Sequence, residues 1–295
     1  MTGVNLLLAA VAVLGVSASG PLMAATAAPA LAIAFWRNAL AAAVLAPVAL
    51  TTRRSEIRSL ERREVLQTVA AGVVLAAHFA TWVTALKMTS VASATAMVSL
   101  QAGFVVLIDR MRGNPVRRAV LVGITVSFAG VLVVSGVDFS LSTRALTGDL
   151  LALAGGFFAA VYTIVGSSVR RTVSTTTYTT LCYATCALAC LVVCLLGGLQ
   201  LSGYGTSTWL ALAAVTVCAQ LLGHSGFNHL LAVMSPTVVS LIILLEVPGA
   251  ALLAGLFLDD QVPPVGVYVG LALILAGLVI VVARAPGRPV EAPLD

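Results

Sequence analysis

The chain has 295 residues and a formal net charge of +5, yet only 9% of its residues are charged, 60% are hydrophobic, and the mean hydropathy is +1.08. A soluble chain carries about 25% charged residues, so a fully water-exposed surface is excluded and the sequence reads as an integral membrane protein with almost no soluble part. The positive excess gives no sign of nucleic-acid binding, because the basic residues sit in short loops.

The first stretch, "MTGVNLLLAAVAVLGVSASG", lacks the basic start of a signal peptide and is followed by nine more apolar segments, so it is expected to be the first membrane helix. A membrane helix needs about 17–25 apolar residues. That ruler predicts ten segments, at 4–23, 29–50, 65–86, 90–108, 117–136, 148–168, 175–199, 207–231, 236–257 and 264–283. Their continuous apolar runs differ from the ten-residue alternation of a membrane barrel, so the fold class is all-α. The longest polar connection is "TTRRSEIRSLERRE", Thr51 to Glu64, and no soluble domain fits anywhere. With a cytoplasmic N-terminus, the inside loops hold thirteen arginines: Arg53, Arg54, Arg58, Arg62, Arg63, Arg110, Arg112, Arg117, Arg118, Arg170, Arg171, Arg284 and Arg288. The outside loops hold only Lys87 and Arg144. This bias predicts that both termini are cytoplasmic.

The chain repeats itself. A shift of 145 residues lays "GVNLLLAAV" on "GDLLALAGG" and "ALKMTSVASATAMVSLQA" (Ala85 to Ala102) on "LLAVMSPTVVSLIILLEV" (Leu230 to Val247). Near the end the shift grows to 147, and Gly123 and Gly130 meet Gly270 and Gly277, the two extra residues falling in "FLDDQVPP". Five helices per copy is an odd number, so the second copy enters the membrane from the opposite side. Inverted repeats of this kind typify carriers that alternate access around a site between their halves. The expected division is a first five-helix repeat at 1–137, a short outside linker at 138–147, a second repeat at 148–283 and a cytoplasmic tail at 284–295.

Two five-helix repeats with these segments resemble the EamA-type members of the drug/metabolite transporter superfamily. The resemblance covers nearly the whole chain. It is most specific in "HFATWVTALKMTSVASATAMVSLQAGFVVLI", "GDLLALAGGFFAAVY" and "LLGHSGFNHLLAVMSPTVVSLIILLEVPGAALLAG". It implies a central cavity lined by the first four helices of each repeat, with the fifth helices outside, and carriage of small organic solutes, often outward. The chain departs from the family pattern at Ala102, where proline is common, and at Gly113-Asn114 and Leu258-Asp259, where Gly-Glu is common.

Glu246 is a lone acid in the apolar run "SLIILLEVPGAALLAG", and an ionised acid at a bilayer centre costs about 2.5–3.5 kcal/mol on insertion scales. Under the 145 shift it pairs with Gln101, so the repeats place polar side chains at matching depths near mid-membrane, where a carrier site is expected. The alternative is a hydrogen-bonded tie between helices. Pro248 removes an amide donor and frees an upstream carbonyl, predicting a bend at this depth. His78 and Trp82, four apart, share a face of the third segment, as His224 and Asn228 do on the eighth. The two histidines align only after a one-residue slip. Such a wall suits a mixed polar and aromatic solute, or each histidine donates one bond to a neighbouring helix. His229 lies on another face and reads as a packing or interfacial residue.

Arg37 is the only cation inside a segment; it either snorkels to water or faces the cavity to meet a carboxylate or Glu246. Beside it, Trp36 fits an interfacial anchor. Tyr162 follows the small-residue line Gly155, Ala159 and would cap that seam toward the cavity. Cys182, Cys186, Cys190 and Cys194 recur every four residues, a step that drifts about 40° each time, so they read as apolar packing and not as a metal stripe. Gly266 and Gly270 form a GxxxG suited to the other fifth helix or to a second protomer, so a homodimer is one expectation.

The function expected is a secondary transporter, in the exporting direction, coupled to protons or running as an exchanger, in the cell membrane. Its partners are a small-molecule solute and the lipid bilayer; no cofactor, metal or nucleic acid is expected. A membrane-embedded enzyme acting on lipid would need acids or histidines clustered near the water interface. A non-transporting scaffold would need a soluble signalling part.

Overall fold

The computed structural model describes residues 3–135, 142–257 and 265–284. The first four residues of the expected linker, the loop holding Asp259 and the tail beyond Arg284 lie outside the described residues. The described chain is helical throughout. Eight helical segments are long and apolar enough to cross a membrane: Gly3–Ala25, Ala30–Thr52, Arg62–Ala85, Val91–Met111, Thr143–Val169, Thr175–Leu196, Thr206–Val233 and Pro236–Phe257. Two further helices, Arg118–Ser135 and Val265–Arg284, fall on the fifth and tenth predicted segments, with shorter apolar windows at Arg118–Val133 and Tyr268–Gly277.

Several segments are not single α-helices. The first is α1 (Gly3–Ser17) and α2 (Ser19–Ala25), broken at Ala18. It is followed by α3 (Ala30–Thr52), the short α4 (Arg54–Ser59) and α5 (Arg62–Ala85). The fourth segment is split into α6 (Val91–Ser99) and α7 (Gln101–Met111), and α8 (Arg118–Ser135) follows. Then come α9 (Thr143–Val169) and α10 (Thr175–Leu196). The eighth segment runs from α11 (Thr206–Val215) through a π-helical stretch (Thr216–His224) into α12 (Ser225–Val233). The ninth is split into α13 (Pro236–Ile243) and α14 (Glu246–Phe257), and α15 (Val265–Arg284) is last. In an apolar surrounding the backbone must bond to itself, and serines cap several starts. The hydroxyls of Ser90, Ser142, Ser174 and Ser235 accept from backbone N–H groups three residues on, at 3.1, 3.1, 3.3 and 3.4 Å. Ser142 starts α9 ahead of the predicted residue 148.

The packing repeats with the sequence. The third segment lies against the sixth as the eighth lies against the first, the second against the seventh, the fourth against the ninth, and α8 against α15. The α8–α15 crossing is reciprocal: a Cβ on Gly130 would lie 2.6 Å from the Gly270 carbonyl oxygen, and one on Gly277 would overlap the Gly123 carbonyl and Ser127. Two backbones approach this closely only where side chains are missing.

The two ends of the helical layer are tied by polar contacts. At one end, Lys87 Nζ donates to the carbonyls of Ala24 and Thr26 at 3.0 and 2.7 Å, capping α2. Partial burial holds the Lys87 ammonium below the ordinary lysine pKa. Arg144 Nη2 donates to the Lys87 carbonyl at 2.7 Å. At the other end, Glu56 on α4 accepts from Ser174 N, Ser174 Oγ and Thr177 Oγ1 at 2.6, 2.7 and 3.0 Å. An acid there satisfies first-turn donors and favours the positive end of α10. Glu56→Ala is expected to cost about 1–2 kcal/mol, read as a lower midpoint of thermal unfolding in detergent.

Candidate functional site

The fourth and ninth segments break at related places. Leu100 N bonds to Met97 O at 3.2 Å, and Leu244 and Leu245 N bond to Leu241 and Ile242 O at 3.2 and 3.1 Å, one residue tighter than α-helical bonding. The new half-helices α7 and α14 begin at Gln101 and Glu246. Proline is therefore not the general cause of the break: Gly103 stands where Pro248 would map under the 145 shift, and that helix breaks too. Each polar residue heads its own half-helix, whose N-terminus carries partial positive charge.

These two residues face one cavity. Its wall holds His78 and Trp82 from α5, Gln101 from α7, Tyr162 from α9, His224, Asn228 from α12 and Glu246 from α14, with Ser19, Ser99, Thr163, Phe227 and apolar side chains completing it. Gln101 is 6% and Glu246 7% exposed. The free space is about 50 Å³, room for a few waters and not for an organic solute.

The rings form a connected wall. His78 stacks on Trp82 with centroids 5.7 Å apart and planes 17° apart, and His224 lies 6.3 Å from both His78 and Tyr162. His78 Nδ1 lies 3.0 Å from the Gly155 carbonyl. A carbonyl only accepts, so Nδ1 carries the proton. Asn228 is a hub. Its Oδ1 accepts from Tyr162 OH at 2.9 Å, and its Nδ2 donates to the same oxygen at 2.6 Å and to Tyr183 OH at 3.4 Å. Its carbonyl accepts from Arg170 Nε at 3.0 Å. Arg170, a loop cation by its place in the sequence, is buried just beyond the end of α9. It also donates to the Val173 carbonyl and, at 2.5 Å, to Thr175 Oγ1.

Of the sequence-derived candidates, Glu246, Gln101, His78, Trp82, His224, Asn228 and Tyr162 all line this cavity, and Arg37 does not. Arg37 is 0% exposed, so it does not snorkel. Nε donates to Gln220 Oε1 at 2.8 Å, Nη1 contacts Met23 Sδ at 3.4 Å, and the guanidinium lies 4.0 Å from the Phe79 ring centroid. Phe79 in turn packs 5.2 Å from His224, standing between Arg37 and the wall. Trp36 Nε1 donates to the Leu201 carbonyl at 2.8 Å. His229 lies 3.4 Å from Thr175 Oγ1.

Sequence reasoning missed Gln220, which holds Arg37 and donates to Asn38 Oδ1 at 3.1 Å. A lone amide in "VTVCAQLLGH" is the same signal that picked out Gln101. It also missed Ser19 and Thr163, hydroxyls too ordinary in membrane helices to stand out.

The wall keeps unspent bonding capacity. Among the described residues the Trp82 indole N–H and the Ser19 hydroxyl are buried without a partner, and such groups are rare unless a water or ligand meets them. No three His, Cys, Asp or Glu side chains among the described residues converge as metal ligands would.

The profile of the EamA-like transporter family matches this chain twice, over residues 2–136 and 146–283. The chain belongs to that family. It is accordingly a multi-pass membrane protein. It is also similar to a protein named an uncharacterized transporter from Archaeoglobus fulgidus, 36% identical over 87 residues, which span 29% of this chain and 30% of that relative. A solved structure, titled only as a protein crystal structure, is 19% identical; it matches with a TM-score of 0.74 over 95% of this chain and 96% of its own. That likeness speaks for the fold alone.

Proposed function

We propose that this EamA-like protein is a secondary transporter that moves a small, polar and part-aromatic organic solute outward across the cell membrane. It has ten spans, arranged as two inverted five-helix repeats, and both termini are cytoplasmic. Proton coupling or exchange drives it. The observation that carries the reading is the pairing of Gln101 and Glu246: related residues, each heading a half-helix, converge on one cavity whose wall retains unpaired donors. The double family match and the reciprocal α8–α15 crossing support the repeat. The cavity is a constricted state, so transport requires a second, wider state that binds solute better. The test is to screen metabolite classes against the purified protein by thermal shift and then measure flux of the hits in liposomes. No flux of any stabilising compound would count against the reading.

Orientation is tested separately. A single cysteine at Ser142 should label with an impermeant thiol reagent from outside intact cells, and one at Ser59 should not. The reverse pattern would invert the proposed topology.

A further inference from the structure

A second opening lies further along α7 from Gln101, toward the arginine-rich loop that follows this helix. It is a groove of about 470 Å³ lined by Gly103, Val106, Leu107 and Arg110 on α7, Pro115 and Val116 in the loop, and Leu121 and Ile124 on α8. Positions 103, 106, 107 and 110 form one face of α7. The groove's inner end is closed, with Val106 and Ile124 buried and the Phe128 ring against Gly103, whereas its outer end at Leu107 and Arg110 stays open, because α8 packs chiefly against α15 and α6. Leu107 and Leu121 are half exposed, so the groove opens sideways, toward lipid. At its mouth, Arg110, Arg112, Arg117 and Arg118 all lie at the surface, and Asp109 is the only acid between residues 103 and 124.

An apolar trough that opens into the bilayer and ends under a cluster of arginines matches one kind of molecule: a chain of hydrocarbon with an anionic head. Guanidinium groups bind phosphate oxygens in pairs, and Arg118 also stands at the N-terminus of an 18-residue helix, where backbone donors favour an anion. The counterpart loop of the second repeat reads "FLDDQVPP", with two acids and no cation, so helix packing common to both copies does not demand these charges. We infer that the α7–α8 groove is a binding site for an anionic phospholipid of the cytoplasmic leaflet, with an acyl chain along Leu107 and Leu121 and the phosphate on Arg110 and Arg118. The leaflet assignment rests on the orientation proposed above; the binding itself does not.

Native mass spectrometry of the detergent-purified protein, titrated with phosphatidylglycerol, phosphatidylcholine or inorganic phosphate, tests the site. Phosphatidylglycerol should be retained in preference to phosphatidylcholine, and inorganic phosphate should not compete. The double variant Arg110→Gln/Arg118→Gln should bind phosphatidylglycerol at least about tenfold more weakly. Leu121→Trp, which fills the trough and leaves every arginine in place, should weaken it as well, with thermal unfolding in lipid-free detergent unchanged for both. Equal retention of the two lipids, or undiminished binding by the Leu121→Trp protein, would overturn the site. A wrong orientation would show in the Ser59 and Ser142 labelling and leave these binding results standing.

Discussion

Glu246→Gln is expected to abolish proton-driven accumulation of the solute while leaving the protein folded. The amide keeps the side chain's shape, loses its titration and reproduces the residue that the first repeat carries at Gln101. Glu246 makes no hydrogen bond or ion pair to a described residue, and the cation nearest in chemistry, Arg37, is bound by Gln220 behind Phe79. Neutralising the carboxylate therefore breaks no hydrogen bond or ion pair, although the buried Arg37 loses the favourable field of the acid. A coupling free energy of 1–3 kcal/mol corresponds to about 5–150-fold, so accumulation under an imposed pH gradient should fall by about tenfold or more. If Glu246 carries only the coupling proton, exchange of labelled solute without a gradient persists. If it also binds a cationic part of the solute, exchange weakens too. Flux equal to wild type across pH 5–8, with the same pH dependence, would reduce Glu246 to a structural tie.

The largest stability losses should come from the α8–α15 crossing. A valine at Gly130 must displace the Gly270 carbonyl, and one at Gly277 must displace the Gly123 carbonyl and Ser127. At each position a backbone carbonyl is among the obstacles, and it cannot swing aside as a side chain can, so the helices must separate. Overpacking of this kind costs about 1–3 kcal/mol, and loss of the close approach adds to it. Because the two contacts are repeat-related, Gly130→Val and Gly277→Val should lower the unfolding midpoint by similar amounts. Gly205→Ala is the control: nothing lies within 4 Å of a Cβ there, and the expected change is within about 0.5 kcal/mol. Unequal losses at positions 130 and 277 would speak against the two-fold relation of the repeats.

The helical segments were legible because apolar length in a membrane leaves few alternatives: eight of the ten predicted segments fall on helices long and apolar enough to cross a membrane, and the fifth and tenth fall on helices with shorter apolar windows. The pairing of Gln101 with Glu246 was legible because a lone polar residue stands out against an oily run and the 145 shift ties two such residues together. The split at Leu100 was not, since "SLQAG" has the composition of continuous helix. The bend at Glu246 was expected from Pro248, but its counterpart without proline shows that the proline accompanies the break and does not cause it alone. Arg37 and Arg170 defeated composition in opposite ways. The first is inside a span without reaching the cavity, and the second belongs to a loop by position yet is buried against Asn228. Where a long side chain goes depends on partners distant in sequence, Gln220 for one and the α12 carbonyl for the other.

The four thiols of α10 have a consequence for chemistry rather than architecture. Cys182, Cys186 and Cys194 are 0% exposed and Cys190 2%. Oxidation, mixed-disulfide formation and alkylation all need a thiolate that solvent can reach. None of the four offers one in this state. Water-borne oxidants and thiols on either side of the membrane therefore find no reactive group along this helix, and its packing is indifferent to their balance.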